Sequence, residues 1–182
     1  MSESINKKSR WGFKLMTLTY RITDFFKPNP GRKLEIFGIS EGDVVLDYGC
    51  GPGRYVKKAS RLVGQNGLVY AADIHELAIE AVKDKISRYN LENVEPVLIN
   101  GYDSGLESGS VDLAYALDMF HQVKNHKRML SELHRVLKSK GVFILEDGHQ
   151  PRKETVRKVR DSGLWEIADK TDDFLLCQAI DS

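Results

Sequence analysis

Apolar residues fall along this chain in two alternating rhythms. Short continuous runs, Val44–Tyr48, Leu68–Asp73, Val94–Ile99, Val111–Ala116 and Val142–Glu146, read as strands covered on both faces. Between them the apolar positions recur at helical spacing. Helices are predicted near 53–63, near 75–89 on Leu77, Ala78, Ala81, Val82 and Ile86, and near 124–138 on Met129, Leu130, Leu133, Val136 and Leu137. Gly141 is expected to close the last of these before the fifth strand. A charged helix near 152–162 follows, then Leu164–Ala168 and Phe174–Ile180, an antiparallel pair turned by Thr171-Asp172-Asp173. Parallel strands need crossovers of helix length, so this alternation predicts an α/β protein with a mostly parallel sheet and helices on both faces.

Upstream, Trp11–Met16 and Leu18–Phe26 pattern as one or two apolar-faced helices, set off by a linker at Lys27-Pro28-Asn29-Pro30-Gly31. The expected organisation is an N-terminal lid or cap over residues 1–34 and a core over 35–182. Trp11, Phe13, Tyr20, Phe25 and Phe26 would line an apolar pocket or staple the segment to the core.

Composition narrows the function classes. The 182 residues suit one core, and 27 basic against 26 acidic residues leave no global field that selects nucleic acid or an anionic membrane. Cys50 and Cys177 stand far apart without a C-x-x-C pair, which argues against a disulfide framework and a zinc site and favours a reducing cytoplasm. No apolar run reaches the roughly 20 residues that span a bilayer, and no apolar signal core opens the chain.

The chemistry concentrates at Val44-Val45-Leu46-Asp47-Tyr48-Gly49-Cys50-Gly51-Pro52-Gly53. A strand ends in an acid, three glycines follow at alternate positions, and a helix begins. Glycines at such a turn let backbone lie directly against a ligand. The dinucleotide fingerprint needs glycine at position 54, where Arg54 stands, so the spacing turns away from a pyrophosphate. With an acid two residues before the first glycine, the spacing favours a ligand bearing an amine and a carboxylate.

The string V-L-D-Y-G-C-G-P-G resembles motif I of the class I S-adenosylmethionine-dependent methyltransferases, in particular the ubiquinone/menaquinone-methyltransferase-like branch. The resemblance implies a Rossmann-like seven-stranded sheet with an antiparallel last strand, and S-adenosylmethionine as cofactor. On it, Asp47 would engage the methionine amino group, with Gly49, Gly51 and Gly53 allowing close approach; a turn-capping Asp47 is the alternative. Asp73, 24 residues after Gly49, would accept from the ribose hydroxyls or cap the next helix, and Ile74 would lie on the adenine or simply pack. The adenine motif departs from the family: Gly101-Tyr102-Asp103-Ser104-Gly105-Leu106 has Tyr102 where an acid is usual and Asp103 one residue late. Either Asp103 reaches the adenine by a small shift, or a backbone carbonyl takes over and Tyr102 covers the ring, or both are solvated loop residues.

Methyl transfer is an in-line displacement that chiefly needs alignment, with a general base only where the acceptor arrives protonated. His121 after the fourth strand and His149 after the fifth are the candidate bases, each with a loop role as its alternative. His134 reads as helix surface. Two scattered thiols argue against metalloid methylation, and no N/D-P-P-Y/F motif follows the fourth strand. The basic run Arg152–Arg160 lacks interleaved aromatics and reads as a solvated helix face. The expected activity is methyl transfer to a small, partly apolar acceptor in the cytoplasm, without nucleic acid or a membrane span. A non-catalytic adenosyl-ligand or partner-binding module and an NAD-dependent oxidoreductase are the competing readings.

Overall fold

A computed structural model describes residues 11–13, 15, 17–19 and 30–180. Tyr20, Phe25, Phe26 and linker residues 27–29 lie outside the described residues. The seven strands form one sheet of order β3-β2-β1-β4-β5-β7-β6. The chain divides into two compact units, Lys7–Leu98 and Ile99–Ser182.

In the first unit, β1 (Val44–Tyr48) pairs in parallel with β2 (Leu68–Asp73), and β2 with β3 (Val94–Leu98). Helix α1 (Val56–Val63) joins β1 to β2, and α2 (Glu76–Tyr89) joins β2 to β3, the crossovers that parallel pairing demands. The core is built from Val45, Leu46, Val69 and Ala71 on the strands and Val56, Ala59, Val63, Ala78 and Val82 on the helices, all buried. The His75 imidazole caps α2 by accepting from the Leu77 amide at 3.2 Å, and Asn90 ends that helix in the left-handed region at φ 50°. Pro30–Ile36 forms a 3₁₀ helix with Leu34 fully buried, so the expected linker ends in packed structure. Residues 11–13, 15 and 17–19 are helical; Phe13 is buried and stacks on His75 at 4.7 Å, whereas Trp11 is 84% exposed.

In the second unit, β4 (Val111–Ala116) pairs in parallel with β5 (Leu137–Glu146), and β7 (Phe174–Ala179) is antiparallel to both β5 and β6 (Trp165–Lys170). Helix α3 (His126–Val136) buries Met129, Leu130, Leu133 and Val136, and α4 (Arg152–Arg160) precedes the final antiparallel pair. The predicted α/β class, strand number and antiparallel close are therefore present. One boundary differs. Gly141 lies inside β5 rather than closing α3, which ends at Val136. The register between β4 and β5 jumps from Val111↔Leu137 to Leu113↔Val142, so the extra residues bulge out of the ladder. A Cβ on Gly141 would lie 2.9 Å from the Lys138 carbonyl oxygen and 2.7 Å from Leu137 Cδ2, so this glycine serves the bulge.

Candidate active site

In the first unit the turn after β1 is held by strand β2. The Gly49 and Cys50 amides both donate to the Ala72 carbonyl, at 2.8 and 3.0 Å. Gly49 and Gly51 have φ of 84° and 53°, left-handed values at which a side chain is strained. Asp73, at the end of β2, accepts from the Gly51 amide at 2.9 Å through Oδ2 and from the His75 amide at 2.8 Å through Oδ1. It therefore braces the turn and the entry to α2 together. Gly53 has a packing reason of its own: a Cβ there would meet Val82 Cγ2 at 3.0 Å and Val56 Cγ2 at 3.3 Å. Its carbonyl accepts from Lys85 Nζ at 2.8 Å, which fastens the turn to α2.

Asp47 is 2% exposed. Its charge is felt by the thiol of Cys50, which burial first, and then the negative charges of Asp47 and Asp73, push well above its ordinary range. Asp47 and Asp73 thus place two negative charges beside a turn of glycine backbone. That is the field a cationic ligand needs, and it fits a molecule carrying an ammonium and a sulfonium. Ile74, next to Asp73, is half-buried.

The second unit brings together the two predicted histidines. His121 lies in the 3₁₀ turn Phe120–Gln122 after β4, and His149 follows β5. Their rings meet edge to face at 4.9 Å. Gly148, at φ 67°, makes the space: a Cβ there would lie 2.1 Å from His121 Nδ1. His149 Nε2 stands 3.7 Å from Asp118 Oδ1, and Asp118 holds a left-handed φ of 53° without being glycine. Asp is among the few non-glycine residues that adopt this conformation, as Asn90 does at the end of α2. Asp118 was not singled out by sequence; nothing in Ala116-Leu117-Asp118-Met119 advertises its backbone.

Tyr102 and Asp103 are both engaged locally. The Tyr102 hydroxyl accepts from the Asn125 amide at 2.9 Å, next to the start of α3, and Asn125 itself caps that helix by accepting from the Arg128 amide at 3.1 Å. Asp103 is 73% exposed and accepts from the Gly105 amide at 2.8 Å. The same loop contains a feature that sequence reasoning missed. Glu132 of α3, buried, accepts from the Ser104 amide at 2.9 Å and from the Ser104 hydroxyl, and takes both Nε (2.8 Å) and Nη2 (2.7 Å) of Arg135. Arg135 Nη1 in turn donates to the Leu106 carbonyl at 2.8 Å. Burial pushes the Glu132 carboxyl up, and the hydrogen bonds from Arg135 and Ser104 together overcome it, so it titrates below the ordinary range. The basic run on α4 is largely matched: Arg157 meets Glu154 and Asp161, and Arg152 meets Asp147.

A parallel α/β sheet closed by antiparallel strands, with an acid-flanked glycine turn after β1, defines the class as a Rossmann-like α/β protein. The chain belongs to the methyltransferase domain family, whose signature matches residues 46–145, from within β1 to within β5. It is 31% identical over 121 residues to the 2-phytyl-1,4-naphtoquinone methyltransferase of Nostoc sp. (strain PCC 7120), covering 66% of this chain and 53% of that protein. It is 31% identical over 115 residues to the ubiquinone/menaquinone biosynthesis C-methyltransferase UbiE of Hydrogenovibrio crunogenus, covering 62% of this chain and 45% of that one. The chain spans about half the length of these curated relatives. A crystal structure of a SAM dependent methyltransferase from Aquifex aeolicus superposes with a TM-score of 0.76 at 24% identity, covering 88% of this chain and 98% of that one.

Proposed function

We propose that this chain binds S-adenosylmethionine and transfers its methyl group to a small, partly apolar acceptor. The observation that carries the reading is the turn after β1, where a 2%-exposed carboxylate and a second carboxylate bonded to the Gly51 amide surround left-handed glycines. Bound there, S-adenosylmethionine supplies a methyl group already activated by its sulfonium. Asp47 would hold the amino group of the methionine part, Gly49, Gly51 and Gly53 would keep the approach open, and Asp73, at the end of β2, would accept from the ribose hydroxyls. Ile74 lies on the adenine, with Tyr102 and Asp103 as the altered adenine pair. One relative is named for a phytyl naphtoquinone and the other for ubiquinone/menaquinone biosynthesis, which supports an acceptor with an aromatic ring and an apolar tail.

His121 and His149 are the proposed acceptor-side groups. His121 would take the proton of a protonated acceptor as its bond to methyl forms and the sulfonium–methyl bond breaks to release S-adenosylhomocysteine, while His149 and Asp118 would fix the surroundings of that imidazole. Residues 1–34 act as the cap and 35–182 as the core. The two free, buried cysteines support a cytoplasmic setting, and no helix among the described residues is long and apolar enough to cross a membrane.

The test is calorimetric titration with S-adenosylmethionine and S-adenosylhomocysteine, with NADH as control, followed by turnover on a panel of hydroquinones. Micromolar binding of both sulfur ligands and none of NADH is expected. Failure of both sulfur ligands to bind would overturn the cofactor reading. Binding without turnover on any acceptor would favour a non-catalytic adenosyl-ligand module, a reading that the local engagement of Tyr102 and Asp103 also supports.

A further inference from the structure

The helical residues 11–13, 15 and 17–19 present two apolar sides, and among the described residues one of them is covered. Phe13 is 5% exposed, stacked on His75. Trp11, Leu15 and Leu18 are 84%, 66% and 53% exposed. Their spacing of four and then three residues places them within one narrow arc of a helix, opposite Phe13. Scattered exposed apolar side chains are ordinary, but a Trp and two Leu aligned on one face are a patch that calls for an occupant.

Charge identifies the occupant. The near-zero net charge of the chain conceals an asymmetry: residues 1–33 carry eight basic and two acidic residues, a net of +6, against −5 for residues 34–182. Lys7, Lys8, Arg10, Lys14 and Arg21 flank or interrupt the apolar stripe in sequence. An exposed Trp/Leu stripe interleaved with basic residues is the composition of a helix that lies in the plane of a lipid surface, its apolar face among the acyl chains and its cations among anionic headgroups. A second copy of the chain would bring another +6 to the same contact and is repelled. We propose that residues 11–19 form an interfacial anchor that docks the protein on anionic lipid bilayers. This inference is independent of the cofactor and acceptor readings and survives if either fails.

The protein carries its own reporter, because Trp165, the other tryptophan, is 3% exposed and donates to the Leu130 carbonyl inside the second unit. The experiment titrates the full chain with vesicles of phosphatidylglycerol and phosphatidylcholine in equal parts, and with phosphatidylcholine alone, following tryptophan emission and co-sedimentation. A blue shift and co-sedimentation with the anionic vesicles are expected. Both should weaken in high salt, where the Debye length falls to about 3 Å, and the shift should vanish in Trp11→Phe. Leu15→Glu and Leu18→Glu should each lower apparent vesicle affinity by about tenfold or more. Their far-UV circular dichroism and thermal midpoint should match the parent, since both side chains are exposed. Unchanged emission with anionic vesicles, or equal binding by the two Glu variants, would overturn the proposal. So would a dimer in light scattering that the same variants dissociate, because a second copy would then be the occupant.

Discussion

Gly148→Ala offers a sharp probe of the paired histidines, because the structure supplies its own control. At Gly148 the new Cβ would lie 2.1 Å from His121 Nδ1, 2.9 Å from Cε1 and 3.1 Å from Cγ, so the imidazole must leave its place. Gly163 has nearly the same backbone, φ 71° against 67°, but a Cβ there meets nothing within 4 Å. Both substitutions bear the left-handed penalty of roughly 1–2 kcal/mol for an L side chain. Only Gly148→Ala adds the displacement of the ring, about 1 kcal/mol for a side chain forced off its rotamer. For a chain of this size each kcal/mol lowers the thermal midpoint by about 2–4 °C. Gly163→Ala should therefore fall by about 2–8 °C, and Gly148→Ala by a further 2–4 °C. Scanning calorimetry measures the midpoints, and imidazole resonances in a proton–nitrogen NMR spectrum report the rings directly. His121 and His149 signals should both move in Gly148→Ala and stay in place in Gly163→Ala. Turnover should drop at least tenfold in Gly148→Ala while S-adenosylmethionine affinity holds. Equal midpoints, unmoved imidazole signals and equal turnover in the two variants would refute the packing of His121 on Gly148 and its role with the acceptor.

Asp73→Ala removes a carboxylate that accepts from the Gly51 and His75 amides. Hydrogen bonds to a charged group are worth about 1.5–3 kcal/mol each, so calorimetry should show cofactor affinity weakened more than tenfold, with the thermal midpoint also lowered. Glu132→Ala leaves Ser104 and Arg135 without their acceptor and should cost about 2 kcal/mol in urea denaturation, while Glu132→Gln recovers part of it. The Glu132 carboxyl titrates below its ordinary value, so its stabilising share is complete above the ordinary carboxylate range and is lost as pH falls through the lowered value. The parent should lose more stability than Glu132→Gln on acidification across that window, and matching profiles would count against the clamp. Burial raises both thiols, Cys177 to about 12 and Cys50 well above its ordinary range, so neither should react with Ellman's reagent at pH 8 in the native protein. Both should react in guanidinium chloride.

The alternation of strand and helix was legible because its signals are local. Val45-Leu46 running into Asp47 and then Gly49 needs no partner to be read as strand, acid and turn, and the carboxyl ends of β4 and β5 placed His121 and His149 on the same side of the sheet. Their ring contact depends on Gly148, whose importance is the space it leaves, and empty space has no sequence signature. The β5 boundary was misjudged for a related reason. Glycine after a helical run signals a helix end, but Gly141 answers to the β4–β5 register, a pairing about 30 residues apart in the chain. Glu132 and Arg135 read as the polar face of an amphipathic helix, as they would in isolation. Only folding brings Ser104 to them, across 28 residues. Asp118 is the extreme case, an ordinary aspartate whose left-handed backbone is visible only in three dimensions.

The clamp of Glu132 and Arg135 also separates two properties that loops usually trade against each other. It seizes the chain at Ser104, Leu106 and Ser108, and the Gly109 amide donates to the Arg135 carbonyl at 2.9 Å, so the ends of the segment are fixed by a helix rather than by a strand ladder. Between those holds, a Cβ at Gly105 would meet nothing within 4 Å. Doubling a flexible loop costs only about 0.6 kcal/mol of closure entropy. Added length is therefore borne most cheaply at Gly105, between the holds at Ser104 and Leu106, where the helix keeps both flanks in place and the sheet is not involved.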